Sequence, residues 1–226
     1  MKSDDKPEKF PTTTVSGGPL KPLTQALADR RATAHFKPDP VPEEYLEAIL
    51  RFAAQAPSGF DLQPWRFLVV REEGNRKRLQ KAAMNQEKVG EAPVVVIFFA
   101  IRGDWKKTID GIFQEGVRRG SGKADQVEQL KNTVNSFLAN FPAAVWLNRH
   151  TMIAFTTMML MAEVYGLDTA PMEGFDPEAV RREFGLPVEA EVISLLAIGY
   201  AQEPDKHYGG RLPLSEIVHR EKYGSH

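Results

Sequence analysis

Side chains able to hold an anionic ligand are concentrated in a few short runs of this sequence. Arg30 and Arg31 end a helix-like stretch and offer two guanidinium forks, a shape suited to phosphate oxygens. The run APSGFDLQPWRFLVV, from Ala56 to Val70, places a hydroxyl (Ser58), a carboxylate (Asp61) and an amide (Gln63) on a loop between two apolar elements. Pro57 and Gly59 stop the helix before it and Pro64 stiffens the entry to the strand after it. Scaffolds commonly put ligand contacts on such loops. Asn85 and Lys88, three residues apart, precede a second apolar run. Each run also has an ordinary reading. A paired surface arginine or a loop lysine is usually solvated, and a Pro-Ser-Gly turn usually only joins a helix to a strand.

Several other chemistries find no support. The chain has no cysteine, which excludes disulfides, thiolate metal sites and cysteine nucleophiles. Its five histidines lack metal-ligand spacing, so no metal is expected. GSGK at 120–123 lacks the upstream glycine and the following Ser or Thr of a phosphate-binding P-loop, and no Gly-x-Ser-x-Gly elbow occurs. With 29 basic and 30 acidic residues, charge gives no case for nucleic acid. The most apolar later stretch, 151–162, is too short to span a bilayer, and the charged N-terminal run is not a signal peptide. The expectation is a cytoplasmic protein with no membrane contact.

The elements that must position these residues read as α+β. Periodicity predicts a short helix over Leu20–Asp29 with Leu20, Leu23 and Leu27 on one face, and an amphipathic helix over Glu43–Gln55 carrying Leu46, Ile49, Leu50 and Ala53. Strands are predicted at Trp65–Arg71, Pro93–Ala100, Leu167–Met172 and Glu191–Tyr200. PVVVIFFA shows no polar alternation and should be covered on both faces. A basic helix over 74–84 follows the first strand, and Glu178–Phe184 should be another, closed by Gly185. Residues 102–141 form a more polar helical excursion, broken at RRGSGKAD, that is placed to cover a site. A long buried helix runs from Pro142 to Tyr165, where Gly166 stops it, with Met158, Met159 and Met161 as core packing. Residues 1–19 read as a mobile arm, 20–201 as one domain, and 202–226 as an extension too poor in apolar residues to form its own core.

The run PSGFDLQPWRF resembles the Pro-Ser-x-x-Asn-x-Gln-Pro-Trp segment of the nitroreductase family of FMN-dependent oxidoreductases. Separated motifs follow in the family's order from Arg30 to Arg211. RRATAHF resembles the opening motif whose basic residues hold the FMN phosphate, with Ala32 in place of a usual Ser and Ala34 where some members carry a Lys. Asn85 and Lys88 have the family's Asn-x-x-Lys spacing, which implies a cation near N1 and O2 of the reduced flavin. PMEGF resembles the Pro-x-Glu-Gly turn, so Pro171, Met172, Glu173 and Gly174 would bring backbone amides to flavin N5 and O4. Arg211 resembles the tail arginine that closes the phosphate site, with Gly209 where a Lys is frequent. Asp61 stands where the family usually has Asn, and an ionised carboxylate cannot donate as an amide does.

What the resemblance implies is a homodimer around a central, mostly antiparallel sheet. In it a long helix forms the interface, the C-terminal arm extends to the partner, and Pro57, Ser58, Gly59, Asp61 and Gln63 reach the partner's FMN. It implies hydride taken from NADH or NADPH and passed to a small electron-poor acceptor, with no catalytic side chain because flavin N5 does the hydride chemistry. Phe113, Phe137 and Phe141, in the excursion, are the candidates to line the acceptor site. A flavin carrier or sensor without turnover, or a dehalogenase or flavin-fragmenting enzyme on the same fold, fits the same motifs.

Overall fold

Runs rich in β-branched and aromatic residues form the centre of the molecule. The strands are β1 (Trp65–Val70), β2 (Val94–Ile101), β3 (Asp168–Met172) and β4 (Ala190–Gly199). They pair in the order β1-β2-β4-β3, every neighbouring pair antiparallel. The computed structural model describes residues 10–203 and 209–225.

β2 is sealed on both faces, as its unbroken apolar run requires: Val94 to Phe98 and Ala100 are fully buried. Its alternating side chains feed two cores. Val94, Val96 and Phe98 pack with α2 (Glu43–Ala54) and α7 (Ala143–Val164). Val95 and Ile97 pack with α3 (Glu73–Ala82), α4 (Glu87–Glu91) and α8 (Pro177–Glu183). The result is an antiparallel sheet between two helical layers. Met158 lies in the first core, with Met159 and Met161 packed against it.

Pro171 sits inside β3, which its edge position permits because a proline has no N–H for a ladder. The outer side of β3 receives the segment that follows α1 (Leu23–Asp29). Ala32 bridges Thr169 in parallel and the Thr33 N–H donates to the Thr169 carbonyl at 3.0 Å. The excursion is two helices, α5 (Trp105–Arg118) and α6 (Val127–Ala139). Their residues Ile109, Val134 and Leu138 close over Leu62, Ala100, Trp146 and Leu147. A last short helix, α9 (Leu214–Ile217), lies in the tail, whose Leu212, Leu214, Ile217 and Val218 are all exposed on the single chain.

Two expectations need correction. The described part of the N-terminal stretch, from Phe10, is docked, not free. The Val15 N–H donates to the carbonyl of Tyr165 at 3.0 Å, the Tyr45 hydroxyl donates to the Thr14 carbonyl at 3.0 Å, and the Phe10 ring lies 4.5 Å from that of Phe52. A polar, Gly-rich composition concealed these backbone contacts. In α1, which starts at Leu23, the residue turned inward is Ala26; Leu23 and Leu27 are 54% and 58% exposed. The leucine spacing marks a face without saying whether this chain or another covers it.

Candidate functional site

Strand direction decides which motifs meet. β1 and β3 are the two edges of the sheet, and the register sets the end of β3 level with the middle of β1, since Met172 pairs with Leu195, Leu195 with Ile97 and Ile97 with Leu68. Three inter-strand spacings across the sheet, about 14 Å, and three residues along it, about 10 Å, lie between Met172 and Trp65. The sequence-predicted residues therefore divide into two groups.

The first group gathers beside β3 around an open pocket of about 320 Å³ lined by Ala32, Thr33, Ala34, His35, Gln86, Glu87 and Lys88. The β3 bridge holds the Ala32–Ala34 side. The Asn85–Lys88 side is set by a tight turn in which Met84 and Asn85 adopt φ of 54° and 56°, with the Asn85 N–H donating to the Gln80 carbonyl at 2.9 Å. Gln86 Nε2 then donates to the Gly174 carbonyl at 2.7 Å, and the Asp176 N–H donates to the Ala82 carbonyl at 2.8 Å. These bonds join the turn Pro171–Gly174 to the Lys88 corner. A Cβ on Gly174 would stand 3.4 Å from Gln86 Nε2, an ordinary contact, so the approach does not itself require glycine. Met172 is buried, with its carbonyl accepting from Ser194 Oγ at 3.0 Å, while Glu173 is exposed.

The two arginines differ. Arg31 Nη1 donates to the carbonyls of Ala28, Asp29 and Arg30 at 2.7, 3.0 and 2.9 Å, and so caps the end of α1. Arg30 Nη1 is buried with no hydrogen-bond partner among the described residues. A buried, unsatisfied donor on a cation is unfavourable by about 1–3 kcal/mol unless an acceptor arrives, and an anionic oxygen is the natural one. With Lys88 in the pocket wall, the residues present fit a phosphate-bearing ligand. Ala32 and Ala34 add no donor there. Arg211 lies beyond residues 204–208, which fall outside the described ones. It is exposed, donates to the Gly210 carbonyl at 2.6 Å, and is not in the pocket lining.

The second group lies at the β1 edge. Phe60, Asp61 and Gln63 adopt φ of 56°, 55° and 45°, three left-handed residues within four, none of them glycine. Each is unfavourable by about 1 kcal/mol or more, and strain of this kind persists where surroundings enforce it. Ser58 Oγ accepts the Gln63 N–H at 2.9 Å, Gln63 Nε2 donates to the Asp61 carbonyl at 3.3 Å, and Leu62 is anchored in the core. The Gly59 N–H donates to His150 Nδ1 at 3.3 Å. Burial first, then the neighbouring Arg149, holds the His150 imidazole below its ordinary value. Above the loop the Phe60 and Phe137 rings meet edge-on at 5.5 Å and Phe137 stacks on Phe141 at 5.5 Å. Phe60 and Phe137 remain 38% and 44% exposed. Phe113 and Phe141, both half-buried, pack against the cluster of Leu62, Ala100 and Trp146.

Four residues at these two places escaped sequence reasoning: His35, Gln86, Phe60 and His150. Gln86 and Phe60 lie inside the motifs already singled out, whereas nothing local marks His150. His35, Glu87 and Glu91 bring potential ligand atoms within 4.8 Å of one another, a grouping that sequence spacing did not reveal. Glu91 accepts from the Phe36 N–H and from His35 Nδ1, each at 3.2 Å, and His35 and Glu87 are exposed, so the group reads as a hydrogen-bonded surface cluster on the pocket rim.

The model of the Nitroreductase family matches residues 27–200. The chain belongs to that family. It is 36% identical over 200 residues to a Thermus thermophilus protein named NADH dehydrogenase, covering 88% of this chain and 96% of that one. It is 31% identical to YdgI of Bacillus subtilis, provisionally named an NAD(P)H nitroreductase, covering 86% and 95%. Among solved structures, a provisionally named nitroreductase from Exiguobacterium sibiricum, in complex with FMN, superposes with a TM-score of 0.82 at 24% identity, covering 93% and 100%. Among the described residues no helix is long and apolar enough to cross a membrane.

Proposed function

We propose that this chain is an FMN-dependent oxidoreductase that takes hydride from NADH or NADPH and reduces a small electron-poor acceptor, a nitroaromatic or a quinone, in alternating half-reactions. The observation that carries this reading is the meeting of two separated motifs in the wall of one pocket, Ala32–His35 and Gln86–Lys88, with the Gln86 side chain bonded to Gly174 of a third. The names of the Thermus and Bacillus relatives support a nicotinamide donor, and the FMN of the Exiguobacterium protein supports the flavin.

In this reading Arg30 meets the phosphate through its unpaired Nη1, with Arg31 and Arg211 alongside. Lys88 and Asn85 face the pyrimidine edge of the ring. The Pro171–Gly174 backbone faces its centre. When bound, FMN supplies hydride acceptance and donation at N5, so no side chain is asked to move a proton. The loop Pro57–Gln63 serves the site of a second subunit, and Phe137 and Phe141 line the acceptor side. Exposed Leu23, Leu27, Val145, Ile153 and the tail leucines supply apolar surface for a two-fold, cytoplasmic homodimer.

The test is spectroscopic. Purified protein should be yellow, bleach on addition of NADH or NADPH, and recover colour with a nitroaromatic or quinone. A bound flavin that neither nucleotide reduces would overturn the enzyme in favour of a carrier or sensor.

A further inference from the structure

The strained loop before β1 is bonded internally from Ser58 to Gln63, by Asp61 N–H to the Ser58 carbonyl, Leu62 N–H to the Gly59 carbonyl and Gln63 N–H to Ser58 Oγ. Within that loop, Gly59 meets α7. Its N–H points at His150 Nδ1, 3.3 Å away. A ring nitrogen that accepts cannot itself carry a proton, so the contact requires neutral imidazole with the hydrogen on Nε2.

The space around Gly59 is fitted to this ring. A Cβ there would fall 3.2 Å from His150 Nε2 and 3.3 Å from Cε1, and 3.5 Å from Trp146 Nε1. Gly59 has no left-handed φ, unlike Phe60 and Asp61 after it. Glycine is therefore present for close approach, not for backbone freedom. The ring is fixed in turn by Trp146, one helical turn earlier on α7, with centroids 4.4 Å apart.

We propose that His150 is a positioning residue: its Nδ1 holds the Gly59 amide and thereby sets the conformation of the Ser58–Gln63 loop. This rests on the reading above in one respect only, that the loop completes a flavin site. Nothing in the motif of the loop reveals the partner, because His150 lies 91 residues away.

Two substitutions separate the acceptor from the packing. His150→Phe keeps an aromatic ring against Trp146 and removes the acceptor. His150→Asn loses the ring and keeps an oxygen near the Nδ1 position. With ¹⁵N-glycine-labelled protein, exchange of the Gly59 amide should quicken by about tenfold in His150→Phe, the loss of one hydrogen bond, and by less than about twofold in His150→Asn. Gly59→Ala, which pushes on the ring from the other side, should disturb the His150 ¹⁵N signals that mark the Nε2–H tautomer. Unchanged Gly59 exchange in His150→Phe, or equal acceleration in both histidine variants, would overturn the proposal.

FMN titration of the same proteins keeps the two readings apart. Affinity that falls about tenfold in His150→Phe and is retained in His150→Asn supports both, by the same single-bond estimate. Altered exchange with unaltered FMN affinity leaves His150 as the residue that positions the loop and removes the loop from the flavin site.

Discussion

Gln86 Nε2 donates to the Gly174 carbonyl across 2.7 Å and so joins two corners of the pocket that lie 88 residues apart in sequence. The bond is specific in direction: a carbonyl accepts, and only the amide end of Gln86 can supply the proton. Gln86→Ala should let the Pro171–Gly174 turn drift and weaken FMN binding by roughly five- to tenfold, the value of about 1 kcal/mol for one neutral hydrogen bond. Gln86→Glu should be at least as damaging, since a carboxylate would face the carbonyl. Flavin-fluorescence titration of apoprotein reads both, and wild-type affinity in Gln86→Ala would show that the turn holds itself.

Arg30 carries a second expectation, and a comparison of ligands isolates it. Its Nη1 is buried without a partner, whereas Arg31 Nη1 is occupied with the end of α1. Arg30→Ala should cost FMN about 1.5–3 kcal/mol, the range for a charge-assisted bond. Riboflavin lacks the phosphate and should lose almost nothing. Equal losses for the two ligands would remove Arg30 from the phosphate site.

These two residues also show what was legible beforehand. Arg30, Lys88 and Gly174 lie in contiguous motifs that the family resemblance singles out; Gln86 sat inside one of those motifs unnoticed because its partner is distant. The unbroken apolar run of β2 announced a strand covered on both faces, and the structure buries it so. The inward side of α1 was not legible because Leu23 and Leu27 have the same spacing whether the covering surface is this chain or another. The left-handed Phe60 and Asp61 were invisible because propensity assigns positive φ to Gly and Asn, and long-range packing overrode it. His150 gave no local signal at all.

Gly199 offers a test of packing behind the pocket. A Cβ there would lie 2.6 Å from Pro93 Cδ and 3.0 Å from Phe36 Cδ1. Pro93 cannot swing aside, its ring being closed on the backbone, and Phe36 is buried at the end of the segment that lines the pocket. Gly199→Ala should lower stability by about 1–3 kcal/mol, as overpacked cores do. Chemical denaturation measures it; an unchanged midpoint would mean that β4 and Phe36 part at little cost.

His150 gives stability a pH dependence of known sign. Its imidazole titrates below the ordinary value of 6.5, through burial and then Arg149. The unfolded chain therefore binds a proton that the folded chain refuses, and stability must rise with pH through that interval. The contribution is complete above about pH 6.5 and declines as pH falls from there toward the folded value. Unfolding free energies of wild type and His150→Asn should differ by a constant above that point and converge or cross below it. A difference that stays flat down to about pH 5 would show that the histidine is not held neutral.

The division of the site between two sheet edges leads to the sharpest expectation. Arg30 and Lys88 belong to segments beside β3, and the Ser58–Gln63 loop precedes β1 on the opposite edge of the sheet. If the loop serves the other subunit, each FMN needs one half from each chain. Arg30→Ala then damages one half and the pair Ser58→Ala with Gln63→Ala damages the other. Each variant alone makes two defective sites per dimer. A mixed dimer combines both defects in one site and leaves the second site wholly wild type. Co-expressed, differently tagged subunits purified as the heterodimer should therefore bind about one FMN per dimer with wild-type affinity, by the symmetry of a two-fold assembly. Recovery would be lost if each chain built its own site, because both kinds of subunit would then carry a defect. A heterodimer with no high-affinity FMN, or a flavin-loaded active monomer in sedimentation, would sink the shared site.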